Sequence, residues 1–255
     1  MTRLSTQTIE ITISISIIFL ICYIGYRCIK YHKQDPIYAM ESLDMNTSKS
    51  NEDSIYNLND IDGLPSPINN PIYNIVLIGD SILENSYYVS SGKSVYDIIK
   101  NSVPKSTVIK NLAFDGAIIT EVEPKVYQIP ITYNKPTTAL VLSVGGNDFL
   151  SGNAFDLIKP QYKDLLQKIR SQLDKTKIYL VNLYRPLDPS LQIYSTVVTM
   201  WNSFLEGLVK ENLADAIIPI STVIVEPSDL VYKIEPSETG GEKIAQMILQ
   251  TIQIV

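Results

Sequence analysis

The feature that most constrains the fold is the rhythm of the chain beyond Pro71, where short apolar runs alternate with longer segments whose apolar residues recur at helical spacing. Short continuous apolar runs suit strands buried on both faces, and the helical segments between them supply the crossovers that parallel strands need. Strands are expected at residues 73–78, 107–112, 138–144, 177–183 and 216–220, and helices at 94–101, 161–173, 191–212 and 240–252. The pattern predicts an α/β fold, a three-layer α/β/α sandwich of the flavodoxin type around a mainly parallel five-stranded sheet.

In such sheets ligands bind outside the carboxyl ends of the strands, near the point where strand order reverses. The polar clusters of this chain fall there. Gly79-Asp80-Ser81 follows the first strand, Asp115-Gly116 the second, Gly145-Gly146-Asn147-Asp148 the third, and Glu235-Pro236-Ser237 comes after the fifth. Each also has a purely structural use. Ser81 with Glu84 and Thr239 with Glu242 have the spacing of capping boxes. Gly116 and Gly145 suit tight turns, and Asn147 suits an N-cap or an Asx turn. It is their convergence on one sheet edge that points to a site.

Ahead of this domain, residues 11–26 form a sixteen-residue run without charge, near the lower length limit for a spanning helix. We read residues 1–33 as a single transmembrane helix with a basic flank. Alternation of Ile9, Ile11, Ile13, Ile15 and Ile17 with polar residues also fits a β-strand, but it stops at Ile18, where a continuous apolar run begins. Arg27, Lys30 and Lys33 follow the run while Arg3 precedes it, so the positive-inside rule places the folded domain in the cytoplasm. Residues 34–70 are polar and acidic, end in Gly63, Pro65 and Pro67, and read as a flexible tether. The folded domain is then 71–255.

A net charge of −6 without a basic stripe argues against a phosphate-tracking nucleic-acid binder. The only cysteines are Cys22 and Cys28, so the folded domain has no disulfide framework or multi-cysteine metal site, and neither GxGxxG nor GxxxxGK[ST] occurs. No cofactor or metal is expected. A serine at a sharp turn leaving the first strand, with donors from neighbouring loops, suits acyl transfer: the hydroxyl attacks a carbonyl and preorganised N–H groups receive the oxyanion. The backbone N–H groups of Ser81 and Gly116 and the side-chain amide of Asn147 are the candidate donors.

These residues resemble the SGNH, or GDSL-like, hydrolase family. Residues 75–83, IVLIGDSIL, resemble its first block, 111–118, NLAFDGAI, its second, and 141–149, VLSVGGNDF, its third. The resemblance spans residue 72 to the C-terminus. It implies Ser81 as nucleophile and Gly116 and Asn147 as oxyanion donors, acting on small esters, acyl lipids or O-acetylated glycans. The last block departs from the family pattern, DxxHP. Alignment on Pro236 and Gly240 puts Glu235 at the histidine and Tyr232 at the aspartate, with Asp229 too far upstream. The single histidine of the chain, His32, precedes the domain. IEPSETGGEKIA also resembles a subgroup in which glutamate stands at this position.

A glutamate, with a reference pKa of about 4.3 against about 6.5 for histidine, is the weaker base, yet it can still accept the serine proton. An oxyanion hole with binding alone retains about 10³–10⁴ of rate enhancement when a triad is removed. The expectation is a membrane-anchored serine ester hydrolase with Glu235 in place of the base. The alternative is a catalytically inactive module of the same fold that holds an acyl or glycan ligand.

Overall fold

The computed structural model describes residues 72–253. These belong to the second of two units into which the chain divides, Leu64–Val255. The expected membrane helix and tether lie outside the described residues. Among the described residues no helix is long and apolar enough to cross a membrane.

Five strands form one sheet: β1 (Asn74–Gly79), β2 (Val108–Asn111), β3 (Thr138–Ser143), β4 (Lys177–Val181) and β5 (Ala216–Ile218). Their order is β2-β1-β3-β4-β5, and every pair is parallel. This is the flavodoxin order, with the switch point between β1 and β3. β1 and β3 hold the sheet centre. Ile75, Val76, Leu77 and Ile78 of β1 and all six residues of β3 are buried, because helices cover both faces and leave no side for polar alternation. β2, at the edge, is only partly buried.

The helices are α1 (Val95–Ser102), α2 (Ile119–Val126), α3 (Gly146–Leu150), α4 (Phe155–Gln172), α5 (Ser195–Lys210) and α6 (Glu238–Ile252). α1 packs on α6, while α2 packs on α4 and α4 on α5, giving the two outer layers. Ser94 caps α1 in a reciprocal box with Asp97. Phe149, Phe155, Tyr162, Trp201 and Phe204 meet ring against ring and join α3, α4 and α5 in one aromatic cluster.

The structure departs from the periodic pattern at several places. α4 begins at Phe155, ahead of Pro160, because a proline near the start of a helix removes only one backbone hydrogen bond, and Ile158 and Tyr162 on either side are buried. The segment expected as one helix at 191–212 splits into a 3₁₀ turn, Pro189–Tyr194, and α5. α6 is capped by Ser237, whose side chain accepts from the Gly240 N–H at 3.1 Å, and not by Thr239. No helix follows Ser81. The carbonyl of Asp80 accepts from both Leu83 and Glu84 in a tight turn, and the Glu84 carboxylate turns to Asn111 at 2.6 Å. A two-stranded antiparallel ladder, β6 (Leu230–Val231) with β7 (Glu235–Pro236), completes the chain before α6.

Candidate active site

The turn after β1 needs a glycine. Gly79 has φ of +140°, and a Cβ there would lie 1.7 Å from the carbonyl oxygen of Ser143 on the neighbouring strand. With the backbones this close, the Asp80 N–H donates to the Ser143 carbonyl at 2.8 Å and the Ser143 hydroxyl donates to Asp80 Oδ1 at 2.8 Å. The N–H of Ile82 donates to the same oxygen at 3.2 Å. Asp80 is thereby buried and locked, and Ser81 is carried to the wall of the pocket with 7% of its surface exposed. Burial pushes the Asp80 carboxyl up to about 7, against the opposing hydrogen bonds from Ser143 and Ile82. The charges of Glu235 and Asp148 add to the rise.

The loop after β3 is shaped by the aromatic cluster. Gly145 has φ of +118°, and a Cβ there would approach the Trp201 ring to 2.4 Å, so only glycine lets the loop lie against the tryptophan. Asn147 then falls in the first turn of α3, where its Nδ2 donates to the Ala117 carbonyl at 3.1 Å. It is therefore neither an N-cap nor an Asx turn. Its amide carries two hydrogens, and one is engaged in this bond. Asp148 beside it is buried and accepts from the Ile119 N–H at 3.2 Å; burial pushes its carboxyl up to about 6. These two bonds join the β3 loop to the one holding Gly116, which has φ of +73°. Among the described residues, neither the Ser81 nor the Gly116 N–H donates to another backbone group.

Glu235 arrives on the β6–β7 hairpin, whose turn residues Tyr232 and Lys233 have φ of +47° and +75°. Side chains without glycine's freedom are strained there, by roughly 1–2 kcal/mol each. Contacts around the turn hold it. The Tyr184 hydroxyl donates to the Ile234 carbonyl, Lys233 Nζ donates to Ser190 Oγ at 3.0 Å, and the rings of Tyr88 and Tyr232 meet edge to face at 6.0 Å. Burial, with the charges of Glu235 and Asp80 adding to it, pushes the Tyr184 hydroxyl well above its ordinary value, so it acts as a neutral donor.

Ser81, Asn147 and Glu235 all line one pocket of about 90 Å³, together with Asp80 and Tyr184. Gly116 does not line it and stands one residue before Ala117, the partner of Asn147. Tyr232, which the resemblance aligns with the aspartate, is 78% exposed and does not line the pocket. Asp229 does not line the pocket; it is fully buried, with Lys243 Nζ 2.7 and 2.9 Å from its two oxygens and the Val225 and Glu226 N–H groups donating to it at 3.1 and 3.0 Å. Burial alone would raise its carboxyl, but these partners outweigh it and hold the group below the usual carboxylate range. Asp229 is thus committed to an internal ion pair. Sequence reasoning passed over Asp80, Asn85 and Tyr184. Asp80 alone carried a signal, an acid placed directly after a fully apolar strand. Among the described residues no three His, Cys, Asp or Glu side chains stand close enough to hold a metal ion.

Neither the protein-family models nor the curated proteins include a match to this chain. Solved structures do match. A member of the lipolytic G-D-S-L family from Veillonella parvula superimposes with a TM-score of 0.59 at 20% identity, over 71% of this chain and 99% of its own. A GDSL-like lipase from Bacteroides thetaiotaomicron gives 0.57 at 15% identity, over 71% and 88%. An acetyl xylan esterase from Geobacillus stearothermophilus gives 0.57 at 14%, over 72% and 96%. With the strand order, the glycine turn after β1 and the Asn147 loop after β3, these likenesses establish that the described domain has the fold of the GDSL-like hydrolases.

Proposed function

We propose that this protein is a serine ester hydrolase in which Glu235 takes the place of the histidine base. The observation that carries the reading is the meeting of Ser81, Asn147 and Glu235, from three distant stretches of chain, around one pocket. In the reaction the Ser81 hydroxyl attacks the ester carbonyl and its proton passes to the Glu235 carboxylate. The oxyanion is received by the second amide hydrogen of Asn147 and the backbone N–H of Ser81, both of which line the pocket, whereas Gly116, the third donor that the resemblance implies, does not line it. Collapse of the tetrahedral intermediate expels the alcohol, which takes the proton from Glu235. Water then attacks the acyl-serine, giving its proton to Glu235, which returns it to the departing Ser81 oxygen. Tyr232, which the resemblance aligns with the orienting aspartate, is exposed and does not line the pocket, so turnover is expected below that of a full triad.

The test is hydrolysis of a short-chain p-nitrophenyl ester by the full-length protein. Ser81→Ala should lower turnover at least about 10²-fold. Equal activity of the variant would overturn the assignment. Ester binding with no turnover in either protein would favour a ligand-holding module. The solved neighbours include proteins described as lipases and as an acetyl xylan esterase, which supports ester chemistry in general.

The N-terminal run is read in the same way, as a single-pass anchor leaving the domain on the cytoplasmic side, so that Asn46 in the sequon Asn46-Thr47-Ser48 carries no glycan. Protease should digest the domain in cytoplasmic-side-out vesicles, and protection there would overturn this topology.

A further inference from the structure

Away from Ser81 the pocket wall is mostly apolar, with the tyrosines Tyr184 and Tyr194 among its lining. Phe149 and Leu150 come from α3, Leu183 from the segment after β4, Leu191 from the 3₁₀ turn, and Val197 and Val198 from α5. The charged lining groups are two carboxylates, Asp80 and Glu235, and neither lysine nor arginine lines the pocket. On these observations, and resting on the serine-esterase reading above, we propose that the substrate is an ester of an uncharged aliphatic acid longer than acetate, with its acyl chain seated against α3, the 3₁₀ turn and α5.

Three physical terms select this class. Each methylene moved from water onto these walls favours binding by about fourfold, the equivalent of about 0.8 kcal/mol. A sugar or other hydroxylated acyl neighbour placed there would leave its hydroxyls without partners in an apolar wall, at a cost that grows with each one. An acyl chain ending in a carboxylate would enter a pocket lined by two acidic side chains, Asp80 and Glu235, and by no lysine or arginine to pair with it. The pocket is finite, about 90 Å³, so the gain per methylene should level off once the chain outgrows it.

The experiment uses the full-length protein and p-nitrophenyl acetate, butyrate, hexanoate and dodecanoate, with the hemisuccinate as the anionic counterpart of butyrate. Butyrate should exceed acetate in kcat/KM by at least about 10-fold, hexanoate should exceed butyrate, dodecanoate should add nothing, and the hemisuccinate should fall below acetate. Leu191→Trp and Val197→Trp, each filling the pocket from a half-buried position, should reverse the order of hexanoate and acetate. A second arm needs no turnover: calorimetry of full-length Ser81→Ala with methyl acetate, methyl butyrate and methyl hexanoate should give the same increment per methylene. Acetate equal to butyrate in both arms, or a hemisuccinate as good as butyrate, overturns the inference. Graded binding without turnover keeps it and overturns the esterase reading. Turnover without any chain-length gradient does the reverse.

Discussion

The side-chain amide of Asn85 donates to the carbonyl of Pro236 at 3.3 Å, tying the turn that carries Ser81 to the hairpin that carries Glu235. Its oxygen accepts from the Val95 N–H at 2.8 Å, so one fully buried residue spans the β1 loop, the start of α1 and β7. α6 is shaped to admit it, since a Cβ at Gly241 would come within 2.9 Å of Asn85 Nδ2. Asn85 therefore ties together the two segments that carry the nucleophile and the carboxylate.

Asn85→Ala should strand the Pro236 carbonyl and the Val95 N–H inside the protein, each costing about 1–3 kcal/mol. Denaturant unfolding should show a loss of about 2–5 kcal/mol. A change below about 0.5 kcal/mol would mean that water takes over both bonds and that the tie is dispensable.

Asn147→Ala should separate catalysis from stability. The residue is half-buried and makes one hydrogen bond outside the helix, to Ala117, so the stability loss should stay near 1 kcal/mol. Ester turnover should fall by about 10² or more if its other amide hydrogen receives the oxyanion. Lost stability with unchanged turnover per folded molecule would make it a loop brace only.

Glu235→Gln keeps the size of the side chain and removes its basic charge. If Glu235 accepts the Ser81 proton, kcat/KM of the wild type rises with pH as the carboxylate ionises, and the variant lacks both this limb and most of the activity. A Gln variant as active as wild type, beside an inactive Ser81→Ala, would place the base elsewhere.

Asp80→Asn preserves the oxygen that accepts from Ser143 and Ile82 but cannot ionise. The native carboxyl is raised from 3.8 to about 7, so between those values the folded protein holds a proton that the unfolded chain releases. Stability tied to this proton is complete below about pH 4 and is lost as pH rises through about 7. Wild-type stability should therefore decline relative to Asp80→Asn across pH 4–7, by at most on the order of 4 kcal/mol, and run parallel above that range. Ionised Asp80 also adds negative charge where the oxyanion forms, so the variant should keep activity above pH 7 that the wild type loses. Parallel stability curves throughout would show that Asp80 is ionised in the native state at all these pH values.

The five strands, their parallel pairing and the identity of Ser81, Gly116 and Asn147 as residues at strand ends were legible from the chain alone. The reason is local: a strand buried on both faces must be continuously apolar, and the polar residue that follows it must lie at the sheet edge. The same local logic offered capping boxes at Ser81 and Thr239 as the structural alternative, and neither forms. Whether a serine caps a helix depends on the turn it enters, and Asp80, gripped by Ser143 across the sheet, had already imposed a turn without a helix. Periodicity also carried no trace of Asn85 reaching Pro236, of Tyr184 holding Ile234, or of Trp201 requiring Gly145. Those contacts join residues far apart along the chain, and no spacing rule relates them. The alignment had already set Glu235 at the base position and Asp229 upstream of it, but only the packed tertiary structure commits Asp229 to Lys243, because a carboxylate buried this deeply needs a charged partner and the last helix supplies one.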